Sequence, residues 1–210
     1  MRWTWVVALA MASVIASAER AAPPVASEIL TVIVLNHAAV PDRILREMFH
    51  DLELILTPAG IPAVFLVCPV SLEPSRPAIC SEPLRPDRVL LQLLPGQPVE
   101  RVHSVGSSTL DRATGTACIK LYAHLAEFIA RDSGWSWSEL LAHLAAHEIG
   151  HILLASGEHS RNGIMRAVWS PAELLVLRHP QALFDGRQAA KMQLALATRH
   201  LMAQARNAEH

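Results

Sequence analysis

The chain has 210 residues, 51% of them hydrophobic, with a formal net charge of −1 at neutral pH and a mean hydropathy of +0.27. That composition excludes a disordered chain, and the near-balanced charge offers no footprint for a nucleic acid or an anionic membrane surface. Its three cysteines, Cys68, Cys80 and Cys118, form neither a C-x-x-C pair nor a zinc knuckle, so any metal must be held by histidine and carboxylate.

Residues 1–18 read as a cleavable signal peptide. Arg2 supplies a basic start, residues 5–15 an apolar stretch, and Ala16-Ser17-Ala18 a small-residue cleavage site. The apolar stretch is shorter than the roughly 20 residues of a membrane span. The expectation is a secreted or periplasmic chain, free of the membrane after cleavage. Residues 19–28 then form a flexible mature N-terminus with Pro23-Pro24, and residues 29–206 a single domain.

Residues 29–35 are a β-branched run of strand length. Pro41 opens a helix in which Ile44, Leu45, Met48, Leu52 and Ile55 recur at helical spacing, closed ahead of Pro58-Ala59-Gly60. Residues 61–68 and 89–94 are two further strands, the second a candidate cleft edge. Between them, residues 71–86 hold four prolines and read as a loop. Cys68 and Cys80 flank this loop, which suits a disulfide in an exported chain and leaves Cys118 as a buried thiol.

Residues 103–116, rich in Ser, Thr and Gly, read as another loop, residues 117–122 as a fourth strand and 123–131 as a helix. Ser136-Trp137-Ser138-Glu139 has capping-box form ahead of the apolar run Leu140 to Leu154. Hydrophobic positions surround nearly the whole circumference of that helix, which makes it central and buried, with its end expected at Gly157. Pro171 starts a helix over 172–178, and Gly186 precedes a last one to about residue 206. The sum is a mixed α/β (α+β) domain, strands first, built around one buried helix.

That helix carries His147-Glu148-Ile149-Gly150-His151. Helical residues i and i+4 lie about 40° apart around the axis, so both imidazoles can reach one ion. Glu148 projects to the side, where it can hold a water as general base instead of ligating. A catalytic zinc takes three protein ligands and keeps one open position. Three candidates for the third ligand follow: His159 just past the helix end, Glu173 on the next helix, and Glu158 beside the turn. His143, one turn before His147, reads either as a ligand or orienting partner, or as a capped or surface-facing histidine. Tyr122, the one tyrosine, is a candidate oxyanion donor. Trp135, Trp137 and Trp169 flank the motif as packing residues. His37, His50, His103, His124, His179 and His200 have no metal-ligand spacing.

The stretch from His147 to Met165, H-E-I-G-H-I-L-L-A-S-G-E-H-S-R-N-G-I-M, resembles the zinc-binding site of the metzincin proteases, H-E-x-x-H-x-x-G-x-x-H followed by a Met-containing turn. Leu154 stands at the consensus glycine and Gly157 at the third histidine, which here arrives two residues late as His159. The resemblance implies a zincin-like fold and Zn²⁺ held by His147, His151 and His159. It also implies Glu148 as general base and Met165 as an apolar floor under the ion. The activity so implied is a secreted zinc metalloendopeptidase acting on protein or peptide substrates, as a monomer. Two other readings share the motif: a non-catalytic zinc-stabilised binding domain, and a zinc amidohydrolase acting on a non-peptide or cell-wall amide.

Overall fold

The computed structural model describes residues 28–71, 77–96, 104–178 and 183–208. The signal-peptide reading, the N-terminal segment to residue 27, His103 and His179 lie outside these residues. The chain runs β1 (Leu30–Asn36), α1 (Asp42–Leu56), β2 (Ala63–Cys68), β3 (Arg88–Leu94), β4 (Gly106–Leu110), β5 (Ala117–Tyr122), α2 (Ala123–Ser133), α3 (Trp137–Leu154), α4 (Pro171–Leu177) and α5 (Gly186–Ala208). Among the described residues no helix is long and apolar enough to cross a membrane.

The strands form one mixed five-stranded sheet in the order β2-β1-β3-β5-β4. The first four run parallel and β4 is antiparallel to β5. A parallel pair needs a crossover, and α1 supplies it between β1 and β2. Burial along β3 alternates, with Val89, Leu91 and Leu93 fully enclosed and the residues between them half-exposed. One face of the sheet therefore carries the core. Met48 and Leu52 of α1 and Leu141, Ile149 and Leu153 of α3 join that core. Each such side chain contributes about 1.5–3 kcal/mol by leaving water.

Apart from the end of α3, the expected helices and the strands at β1, β2, β3 and β5 are present within one or two residues. Cys68 and Cys80 are disulfide-bonded. Three expectations need correction. Residues 106–110 are not loop but the edge strand β4, paired from Gly106↔Leu121 to Leu110↔Ala117. The strand at 88–94 cannot be a cleft edge, because both its sides are occupied, by β1 and β5. Cys118 is half-exposed on β5, because it points to the sheet face opposite the enclosed Ala117, Ile119 and Leu121.

Ser136 caps α3 by accepting the Glu139 backbone N–H at 3.1 Å. The Glu139 carboxylate turns away to Arg178, 3.6 Å distant, so only half of the capping box forms. The helix ends at Leu154, three residues before Gly157. Ala155 takes the left-handed position instead, with φ of 49°. That is an uncommon conformation for a residue with a Cβ.

Candidate metal centre

His147 and His151 project from the last two turns of α3, and each ring is oriented by the chain that follows the helix. Nδ1–H of His151 donates to Ser156 O at 2.8 Å, an acceptor brought within reach by the left-handed turn at Ala155. Nδ1–H of His147 donates to Ile164 O at 2.7 Å. The loop that carries Ile164 is closed by Ser160 N–H to Met165 O at 2.8 Å. Carbonyl oxygens only accept, so both rings hold their proton at Nδ1 and point the Nε2 lone pair at one another. The two Nε2 atoms are 3.0 Å apart.

His159 completes the group. Its ring centroid lies 5.4 Å from that of His147 and 4.9 Å from that of His151. One ring nitrogen from each of the three lies within 4.8 Å of the others. Exposure rises from His147 through His151 to His159, so the group opens on one side to solvent. Burial, with smaller contributions from His151 and His159 and against the Ile164 hydrogen bond, pushes the His147 pKa down to about 4. The imidazole is therefore in its neutral, ligating form at neutral pH.

These side chains fit a divalent cation. Two facing lone pairs 3.0 Å apart repel unless a positive charge lies between them. Orientation of a ligating imidazole through Nδ1–H to a carbonyl is the arrangement metal-binding histidines favour. Three imidazoles with one open side are a donor set suited to zinc.

Glu148 is 8% exposed. Burial raises its pKa, against a hydrogen bond from Ser108 and the attraction of His151. Ser108 is on β4, so the edge strand holds the carboxylate from the far side of the cleft. Gly106 of the same strand allows the close approach: a Cβ there would lie 3.1 Å from Glu148 Oε1 and 2.6 Å from Leu121 Cδ2.

The other sequence candidates fall elsewhere. Glu173 is not with the three imidazoles: it receives the Ser170 backbone N–H at 2.8 Å and pairs with Arg166 at 2.6 Å, capping α4. Glu158 is exposed and separate from the cluster. His143 is neither a ligand nor surface-facing. It is 4% exposed, and its two ring nitrogens meet Glu139 O at 2.8 Å and Leu177 O at 2.9 Å, tying α4 to α3. Tyr122 closes β5 and lines neither of the cavities beside the imidazoles. Trp169 does more than pack, because its ring meets His147 edge to face at 5.7 Å.

Met165 is 1% exposed and lies against Gly150, the residue before His151. A Cβ on residue 150 would come within 2.4 Å of Met165 Sδ and 3.0 Å of Phe184 Cε1. A glycine inside a helix costs about 1 kcal/mol relative to alanine, and this contact is its structural reason. We therefore expect Gly150→Ala to lower stability in spite of its better helix propensity. Overpacking of about 1–3 kcal/mol outweighs that gain, and zinc affinity should fall as Ile164 moves. Thermal melts and zinc titration check this; a higher melting temperature would mean that the contact is slack.

Two cavities flank the imidazoles. One, of about 340 Å³, lies beside His147 and Glu148 and is walled by Leu140, Leu144, Trp169 and Leu174. The other, of about 170 Å³, lies beside His151 and is bordered by Ser108 and the turn at 155–157.

Fold and site together define a mixed α/β domain with a three-imidazole cluster beside a buried carboxylate. The sequence matches no protein-family model and no curated protein. Among solved structures, it is similar to a zinc-dependent peptidase from Methanocorpusculum labreanum. That similarity is 17% identity with a TM-score of 0.46, over 77% of this chain and 99% of that one.

Proposed function

We propose that the chain is an exported zinc-dependent metallopeptidase of metzincin-like type, in which His147, His151 and His159 hold the ion and Glu148 is the general base. The observation that carries this reading is the pair of Nε2 lone pairs facing each other at 3.0 Å, with a third imidazole and a carboxylate alongside. A purely structural site has no use for that carboxylate.

When bound, zinc supplies Lewis acidity that polarises a peptide carbonyl and acidifies the attacking water. The chain's own groups handle the proton. A carboxylate oxygen of Glu148 takes it from the water and delivers it to the amine nitrogen as the peptide bond breaks. Burial raises the Glu148 pKa toward the working range of such a base, and Ser108 fixes the carboxylate's direction. The substrate backbone adds to the side of β4 that no described strand covers, in place of the strand at 89–94 that the sequence suggested.

The test is metal analysis joined to peptide cleavage. We expect one zinc per chain, cleavage of an unfolded protein or peptide mixture, loss of cleavage with a chelator and its return with zinc. Stoichiometric zinc without cleavage of any peptide would favour the non-catalytic domain and overturn this reading.

A further inference from the structure

The two cavities differ in more than size, and the direction of proton transfer says which part of a substrate each receives. Glu148 gives its proton to the departing amine, so the residue on the amine side of the scissile bond lies on Glu148's side, in the apolar cavity. The acyl side then runs past His151 and over the smaller cavity. Arg166, which borders the apolar cavity, is already paired with Glu173 at 2.6 Å.

The smaller cavity has a different charge. Arg112, on the turn between β4 and β5, is the ionised side chain that lines it. Its Nη2 donates to Ala155 O at 3.2 Å, which anchors one corner of the guanidinium to the end of α3. A guanidinium has five N–H donors in a planar fork, so this anchor leaves most of them for a ligand. The neighbouring Asp111 does not neutralise it: that carboxylate accepts the backbone N–H groups of Ala113 at 2.8 Å and Thr114 at 3.3 Å within its own turn. Among the described residues no carboxylate pairs with Arg112.

We propose that Arg112 recognises a carboxylate on the acyl side of the scissile bond, so that preferred substrates carry Asp or Glu upstream of a bulky apolar residue. This rests on the metallopeptidase reading for its polarity. Arg112 is a specificity-determining residue in this scheme, taking no part in bond breaking.

The test uses fluorogenic peptides with Leu after the scissile bond and Glu, Gln or Lys at each of the three preceding positions. Mass spectrometry of the products fixes the bond cut. At one of these positions the zinc-loaded protein should rank Glu above Gln above Lys. The extremes should differ about tenfold in kcat/KM at low salt, from one exposed attraction and one repulsion. Arg112→Gln should flatten the ranking and Arg112→Glu should reverse it; a ranking that survives both variants overturns the assignment. A second arm measures binding of the same labelled peptides to zinc-loaded Glu148→Gln protein by fluorescence anisotropy, where the order should be the same. Binding in that order without cleavage by the wild type would overturn the peptidase reading and leave Arg112 as a carboxylate site. Equal cleavage of all peptides would overturn the role of Arg112 and leave the peptidase reading standing.

Discussion

Glu148→Gln is expected to lower kcat by about 10²–10⁴-fold, the range over which a positioned general base contributes, while zinc content stays at the wild-type value. The substitution keeps the shape of the side chain, and its amide oxygen can still accept the Ser108 hydroxyl. What it removes is the ability to take a proton. The carboxylate is buried and raised in pKa, so the amide also relieves the cost of an enclosed charge. The variant should be no less stable than the wild type, and its KM should change far less than its kcat. An unchanged turnover rate would sink the assigned role of Glu148, and loss of zinc together with activity would make the carboxylate a ligand.

The second large effect is on stability. Removal of zinc should leave His147 and His151 with lone pairs opposed at 3.0 Å on a helix that packs against α1, α5 and β4. Binding stabilises a fold by about 4 kcal/mol when the free ligand stands at a thousand times its dissociation constant. For a chain of this size that corresponds to roughly 8–16 °C in melting temperature. Calorimetry with and without chelator measures it, and His147→Ala should melt alike in both conditions. Equal melting temperatures for the wild type with and without chelator would mean that the three imidazoles bind no ion.

Much of this was legible in the chain, for local reasons. The α3 helix announces itself by Ser136, by an unbroken apolar run and by histidines at i and i+4, all set by nearest-neighbour geometry. Spacing alone left His159, Glu173 and Glu158 open, and the His-Ser pair with the Met-containing turn that follows favoured His159. In the structure Glu173 is engaged by the Ser170 cap and the Arg166 pair; the cap has the local S-x-x-E form, whereas the ion pair leaves no mark in the local sequence. The β4 strand was missed because Gly-Ser-Ser-Thr-Leu has little strand character of its own; pairing with β5 imposes the conformation. Sheet order lay out of reach for a related reason. The sequence contains strands but not their neighbours, so β3 was placed at an edge when it sits in the middle.

Ser108 and Arg112 gave no signal, since each acts across a turn of chain folded back on the helix. Gly150 did give one. A glycine inside an otherwise strong helix marks the close approach of something, here Met165 and Phe184.

The composition that hid β4 has a consequence for colloidal behaviour. A sheet margin with open backbone groups is a template for uncontrolled pairing between copies, the first step toward fibrils. This margin is only five residues long, has Ser107, Ser108 and Thr109 at its centre and begins with glycine, so it gives another copy little apolar surface to zip against. Such a border is a poor template for pairing between copies. Exchanging Ser107 and Thr109 for valine would make a more obvious strand and a more aggregation-prone protein.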